Sequence, residues 1–194
     1  FRPNVSENGK MIPAEIGSLK VVSIGFLLES PDSAVVWRGP MKISAINQFV
    51  TDVEWGKLDV LVVEAPPGTG DEPLTACQLL AGDDARAVIV TTPQQISATD
   101  VSKSLTFCRE LKLEVAGIVE NMSTFVCPHC GEATAIFSSG AGEELAAKYG
   151  VPFLGKLPID PLVCQGGDEG TPFVRRFSGS PTAAAFASVA EKLS

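Results

Sequence analysis

Two cysteines separated by two residues, Cys127 and Cys130 in CPHC, are the side chains of this sequence best suited to holding a metal. Thiolates at that spacing grip one ion or one edge of a cluster, and Pro128 and Gly131 help to shape the chain into a knuckle around them. A closed tetrahedral site takes four ligands, whereas Cys77, Cys108 and Cys164 lie far away with no second CxxC pair. A two-fold dimer in which each subunit gives one pair meets the requirement, because such an interface repeats the same patch on both sides. The rival readings are a thioredoxin-type redox pair or inert thiols. A redox pair normally opens a helix, and this one falls between a strand and a turn. His129, the sole histidine, lies between the paired cysteines with little room for all three to reach one ion, which favours an exposed ring. No Ser/His/Asp set forms around it. Cys77 and Cys108 fall at apolar helical positions as small hydrophobes, and Cys164 has no evident partner.

The second chemical stretch is LDVLVVEAPPGTGDEPLT, residues 58–75. Its β-branched run at 60–63 reads as a strand covered on both faces. Pro66 and Pro67 then end it, and Gly68 and Gly70 permit a sharp turn that leaves amides available to a ligand. Ligands of open α/β sheets bind at such strand ends. Glu64, Thr69 and Asp71 together suit the orientation of a water or a metal beside phosphate oxygens. An ordinary Gly/Pro turn with surface acids fits the same spacing. A Walker loop, GxxxxGK[ST], is absent. The nearest match, GVPFLGKL at 150–157, puts Leu157 where the magnesium-binding hydroxyl belongs, and its Pro152, Phe153 and Leu154 fit a strand entering the core.

The elements that position these residues alternate. Strands are expected at 21–28, 60–63, 87–90, 115–119 and 153–157, and helices at 40–53, 74–80, 98–111, 142–149 and 181–193. Residues 1–17 read as a loop or incoming tail, 30–33 as a turn, and 159–172 as a Gly/Asp-rich loop. This pattern predicts an α/β fold, a mostly parallel, doubly wound sheet with helices on both faces, in one domain over 1–194 with a small metal-binding insert at 123–140. The 194 residues, 45% hydrophobic and 20% charged, suit one soluble domain. No apolar run approaches the ~20 residues of a membrane span, and no secretory signal opens the sequence, so a cytoplasmic location is expected. A formal charge of −8 excludes the basic excess of a general nucleic-acid binder. The odd cysteine count of five argues against a disulfide framework.

SIGFL at 23–27, VVWRGPM at 35–41, WGKLDVLVVEAPPGTGDEPLT at 55–75, VIVTTPQ at 88–94, GIVENMS at 117–123, CPHCG at 127–131 and GVPFLGKLPIDP at 150–161 together resemble the Mrp-like family of P-loop ATPases, over about residues 19–174. That family is similar to the septum-site and nitrogenase iron-protein ATPases and looks like carriers or scaffolds for iron-sulfur cluster assembly. The resemblance implies ATP with Mg2+ as ligand, ATP hydrolysis as activity, and a homodimer bridged by a [4Fe-4S] cluster on Cys127 and Cys130 that is passed to apoproteins. A zinc-binding or dimerisation module without hydrolysis is the alternative. Glu64 matches an aspartate of relatives associated with magnesium and water, and is one methylene longer. Pro67, Gly68, Thr69, Gly70 and Asp71 match the switch loop. Asn121 matches an adenine-reading asparagine, and the stretch from Pro158 to Asp160 matches a loop along the base. Trp37, Arg38 and Gly39 match a family signature without a derived role.

Relatives carry a Walker strand, a helix and a further strand before the region matching Phe1, near the middle of the sheet. Their absence predicts unpaired backbone edges and a gap in the core unless a longer chain or a second polypeptide supplies them. ATP binding by residues 1–194 is therefore expected to be weaker than the complete pattern gives.

Overall fold

The computed structural model describes residues 2–30, 32–34, 36–82, 84–127 and 129–194. Phe1, Pro31, Val35 and Pro128, which the sequence places in the tail, a turn, the family signature and the knuckle, lie outside them. The chain divides into two compact units, Phe1–Asp83 and Asp84–Ser194.

The first unit opens with an antiparallel hairpin, β1 (Ala14–Ile16) and β2 (Leu19–Val21), where a loop was expected. Ile16 pairs with Leu19 across a two-residue turn whose Gly17 has φ +65°, a conformation that glycine adopts without a Cβ penalty. The strand expected at 21–28 ends at Val21. Ser23 then accepts a hydrogen bond from the Gly25 amide at 3.2 Å and starts a 3-10 turn, Ile24–Leu27, so local capping displaces strand pairing. Helix α1 (Gly39–Thr51) carries Pro40 in its first turn, where a missing N–H costs nothing. Helix α2 (Asp71–Leu80) begins three residues before the expected start, because Asp71 and Glu72 favour the positive end of a helix dipole. The two helices are joined by an ion pair, Lys42 Nζ to Glu72 Oε1 at 2.5 Å, which lowers the Glu72 carboxyl below its ordinary range.

The expected strand at 60–63 is not one. These residues join no ladder among the described residues, and Val60 and Val62 are 75% and 84% exposed. Strand propensity reflects packing and pairing with neighbours, and this run has neither.

The second unit holds a parallel sheet in the order β3–β4–β7, built from β3 (Arg86–Thr91), β4 (Glu114–Glu120) and β7 (Phe153–Lys156). Helices α3 (Gln95–Glu110) and α4 (Ala141–Tyr149) cover one face, where Leu105, Cys108, Leu145 and Ala146 surround Ile89 and Ile118. Helix α7 (Pro181–Glu191) covers the other, bringing Ala185, Phe186 and Val189 onto Val119, Leu154 and Leu157. Successive residues of β4 thus enter opposite cores, which is why its sequence is continuously apolar. Leu154 is 2% exposed, in keeping with GVPFLGKL as a core strand and not a phosphate loop.

Between β4 and α4 lies the insert, a minimal hairpin of β5 (Phe125–Val126) and β6 (Ala133–Thr134). The expected loop at 159–172 contains helix α5 (Pro161–Asp168), followed by a short helix α6 (Phe173–Arg176). Its glycines hid it. A Cβ on Gly166 would lie 2.9 Å from the Thr171 carbonyl oxygen, so a glycine is needed where the chain doubles back on the helix. Among the described residues no helix is long and apolar enough to cross a membrane.

Candidate functional site

The CPHC segment occupies the tip of the β5–β6 hairpin. Cys127 donates its amide to the Glu132 carbonyl at 2.9 Å, and Gly131 donates to the Cys127 carbonyl at 2.9 Å, closing a tight turn with Gly131 at φ +74°. Cys127 is half-buried, while His129 and Cys130 are exposed, as expected for a ring that is not drawn into the fold. The amides of Cys130 and His129, with the Cys130 thiol, hydrogen-bond to the Cys127 sulfur and lower its pKa. The turn therefore presents a sulfur of lowered pKa beside a second, accessible one. Among the described residues no group of three or more His, Cys, Asp or Glu side chains could hold a metal ion, so this pair needs ligands from outside these residues to complete a four-ligand site.

The hairpin is rooted at the carboxyl ends of the sheet strands. Ser123 donates its amide and its hydroxyl to the Leu157 carbonyl at 3.0 and 3.2 Å, and Ile159 donates to the Thr124 carbonyl at 2.7 Å. Asn121 begins the excursion. Its amide donates to Thr91 O at 2.7 Å, and its Oδ1 accepts from the Met122 amide at 2.9 Å, which holds Met122 at φ +58°. Asn121 lines a shallow cleft of about 270 Å³ with Val90, Thr91, Thr92, Ser97 and Asp100, at the strand ends where open α/β sheets bind ligands. Gln94, just before α3, keeps its Oε1 buried without a partner among the described residues.

Asp160 is committed within the fold. Its Oδ1 caps α5 by accepting from the Leu162 amide at 2.9 Å, and its Oδ2 accepts from the Thr182 hydroxyl at 2.7 Å, joining the start of α5 to α7. Pro158 precedes it between β7 and α5.

Glu64, Pro67, Gly68, Thr69, Gly70 and Asp71 lie in the first unit and are exposed. Gly68 has φ +100°, so the turn expected from PPGTGD forms, and Gly70 is the N-cap of α2. A Cβ on Gly39 would stand 3.4 Å from an Asp71 carboxylate oxygen, which brings the family signature beside this loop. Cys108 is buried in α3, while Cys77 is half-buried and its pKa is raised by burial. Cys164 is exposed, with its sulfur 3.8 Å from Asp168 Oδ2.

Sequence reasoning missed Glu120. This residue ends β4, is fully buried, and accepts from the amides of Gly140 and Gly142. The available signal was α4 itself, whose N-cap is a glycine with no side chain to satisfy the first-turn amides.

Residues 2–194 match the ParA family model described as NUBPL iron-transfer P-loop NTPase. The cytosolic Fe-S cluster assembly factor NUBP2 of Homo sapiens is 54% identical over 177 residues, covering 91% of this chain and 65% of that protein. Its Gallus gallus counterpart is 52% identical with the same coverage. The chain thus spans about 65% of the length of these relatives. Among solved structures, a nucleotide-binding protein from Archaeoglobus fulgidus in complex with ADP is 39% identical with a TM-score of 0.71, covering 89% of this chain and 65% of that one. The cell division ATPase MinD of Pyrococcus furiosus superposes with a TM-score of 0.58 at 25% identity, covering 79% of this chain and 57% of its own.

Proposed function

Because the chain belongs to the family of NUBPL iron-transfer P-loop NTPases, we propose that it is part of a cytosolic, nucleotide-dependent carrier or scaffold that holds an iron-sulfur cluster and delivers it to apoproteins. One observation carries the reading: Cys127 and Cys130 sit side by side on an accessible turn, with local amides stabilising the Cys127 thiolate. A thiolate is the form that binds iron. A single pair supplies half of what a [4Fe-4S] cluster takes, so the cargo is bridged between two copies of the chain, each giving Cys127 and Cys130. The assignment of the insert to residues 123–140 of one domain belongs to this reading.

The nucleotide is ATP with Mg2+. Asn121 and the cleft around it would hold the base, with Pro158 beside it and Asp160 fixing that loop through Thr182. The buried Gln94 acceptor, unpaired among the described residues, adds a group at this end of the sheet that a ligand donor would satisfy. Taken by itself, the first unit offers in Pro67, Gly68, Thr69 and Gly70 a turn whose backbone suits phosphate oxygens, and in Glu64 and Asp71 carboxylates that suit water and metal, roles that rest on the family resemblance.

The test is anaerobic reconstitution with iron and sulfide. The protein is expected to turn brown with broad visible absorption, to hold one cluster per two chains, and to sediment as a dimer, and Cys127→Ser is expected to abolish both colour and dimer. A colourless protein with stoichiometric zinc overturns the carrier reading in favour of a metal-binding module. A dimer that survives Cys127→Ser unchanged overturns the bridged interface.

A further inference from the structure

The CPHC hairpin leaves the sheet at the end of β4 and returns to it at α4, and one side chain touches both ends. Glu120, the last residue of β4, is fully buried. Its Oε2 accepts from the Gly142 amide at 2.8 Å and from the Gly140 amide at 3.1 Å, and Oε1 lies 3.3 Å from the Gly140 nitrogen. The first amides of a helix have no intrahelical partner, and the acceptor normally comes from the N-cap residue itself. Here Gly140 is the N-cap and has none to offer, so the carboxylate arrives from 20 residues earlier in the chain.

The fit leaves little slack. A Cβ on Gly142 would stand 3.0 Å from Glu120 Cβ and 3.2 Å from its Oε2, and Gly140 adopts φ +93°. The departing arm is tied separately, through Ser123 to Leu157 and Ile159 to Thr124. The ladder within the excursion is only two residue pairs, Phe125 with Thr134 and Val126 with Ala133. So short a ladder cannot by itself fix where its tip stands relative to the sheet. The placement is decided at the root.

We infer that Glu120 is a positioning residue for the thiolate pair: by capping α4 it clamps the return of loop 121–140 onto its point of departure and so fixes the stance of Cys127 and Cys130. The inference rests on the reading of those cysteines as metal ligands. Glu120 is also followed directly by Asn121, whose amide is bonded to Thr91, so the same clamp fixes the edge of the β3–β4 cleft. Glutamine at this position would keep one oxygen for the two amides but lose the charge and set an NH2 where Oε1 lies 3.3 Å from the Gly140 N–H, weakening the clamp.

The test is a Co2+ titration of the purified protein, because thiolate-to-cobalt absorption reports metal held by sulfur. Glu120→Gln is expected to weaken the apparent Co2+ affinity roughly tenfold or more, the scale at which groups that orient ligands act. Gly142→Ala, which presses α4 away from the carboxylate and leaves the acid intact, is expected to shift it in the same direction, and decides the matter if Glu120→Gln does not fold. Ile118→Val, which trims a fully buried side chain outside the loop, is expected to lower the melting temperature and leave the cobalt affinity unmoved. Wild-type affinity in folded Gly142→Ala and Glu120→Gln overturns the inference. So does an affinity loss of equal size in Ile118→Val. Cys127→Ser separates the two layers: if it removes the cobalt band and Glu120→Gln does not move it, the positioning role alone fails. If the band survives Cys127→Ser, the ligand assignment fails and the inference falls with it.

Discussion

Two stretches of this chain that carry apolar, β-branched residues have opposite fates. VLVV at 60–63 leads into a Gly/Pro turn and lies exposed, with no strand partner among the described residues. GIVE at the end of β4 leads into the asparagine and the CPHC excursion, and its Ile118 and Val119 are 0% and 3% exposed. Apolar β-branched residues occur in both, so their presence alone does not decide the outcome. Strand β4 has β3 and β7 to take its hydrogen bonds and helices on either side to take its two faces, whereas 60–63 has no ladder partner among the described residues. An apolar β-branched run specifies a strand only where the surrounding chain supplies both ladder and cover.

The sharpest way to break this comparison is to truncate one side chain in each stretch. In the 194-residue chain, Ile118→Ala is expected to cost about 4 kcal/mol, within the range for emptying a buried aliphatic site. Val62→Ala is expected to change stability by less than about 0.5 kcal/mol, as for an exposed substitution. Urea unfolding followed by circular dichroism measures both, and a large loss at Val62 would mean that the run is packed after all.

A smaller effect tests how firmly the loop after β7 is held. Asp160→Ala removes the α5 cap and the bond to Thr182, and is expected to destabilise by about 1–2 kcal/mol. Thr182→Val, which deletes only the second of these bonds, should reproduce only part of that loss. If the two changes are equal in size, the cap contributes nothing.

The smallest effect concerns the thiols, one in each unit. Amide hydrogen bonds lower the Cys127 pKa, and burial raises that of Cys77. At neutral pH, alkylation followed by mass spectrometry is expected to modify Cys127 well before Cys77. Stabilisation from the Cys127 thiolate is complete above the ordinary thiol pKa and lost as pH falls through the lowered value. For Cys77 the sign reverses: its contribution is complete below the ordinary pKa and lost as pH rises through the raised one. Equal labelling of the two at pH 7 would erase the contrast.

What could be read from residues alone follows the same division. Strands β3, β4 and β7 and helices α3, α4 and α7 were legible because local pattern and tertiary surroundings agree there. CPHC was legible as a tight turn, because so short a spacing followed by Gly131 brings the chain round on itself. Helix α5 was not, since Gly166 answers to the approach of the Thr171 carbonyl and not to helix propensity. The hairpin at 14–21 escaped because each strand has only three residues, too few to show a period. Glu120 escaped because an acid ending a buried strand resembles a surface residue, and its partners, Gly140 and Gly142, lie beyond the insert. Asp160 could be noticed, but its engagement with Thr182 depends on α7, far along the chain.

The two-pair ladder of β5 and β6 has a consequence for whatever the sulfurs hold. Separating so few pairs disturbs neither of the cores that bury β4, so the tip can open while the rest of the unit stays packed. On the proposed carrier reading, release would proceed by such a local opening, at a small fraction of the free energy needed to unfold the sheet.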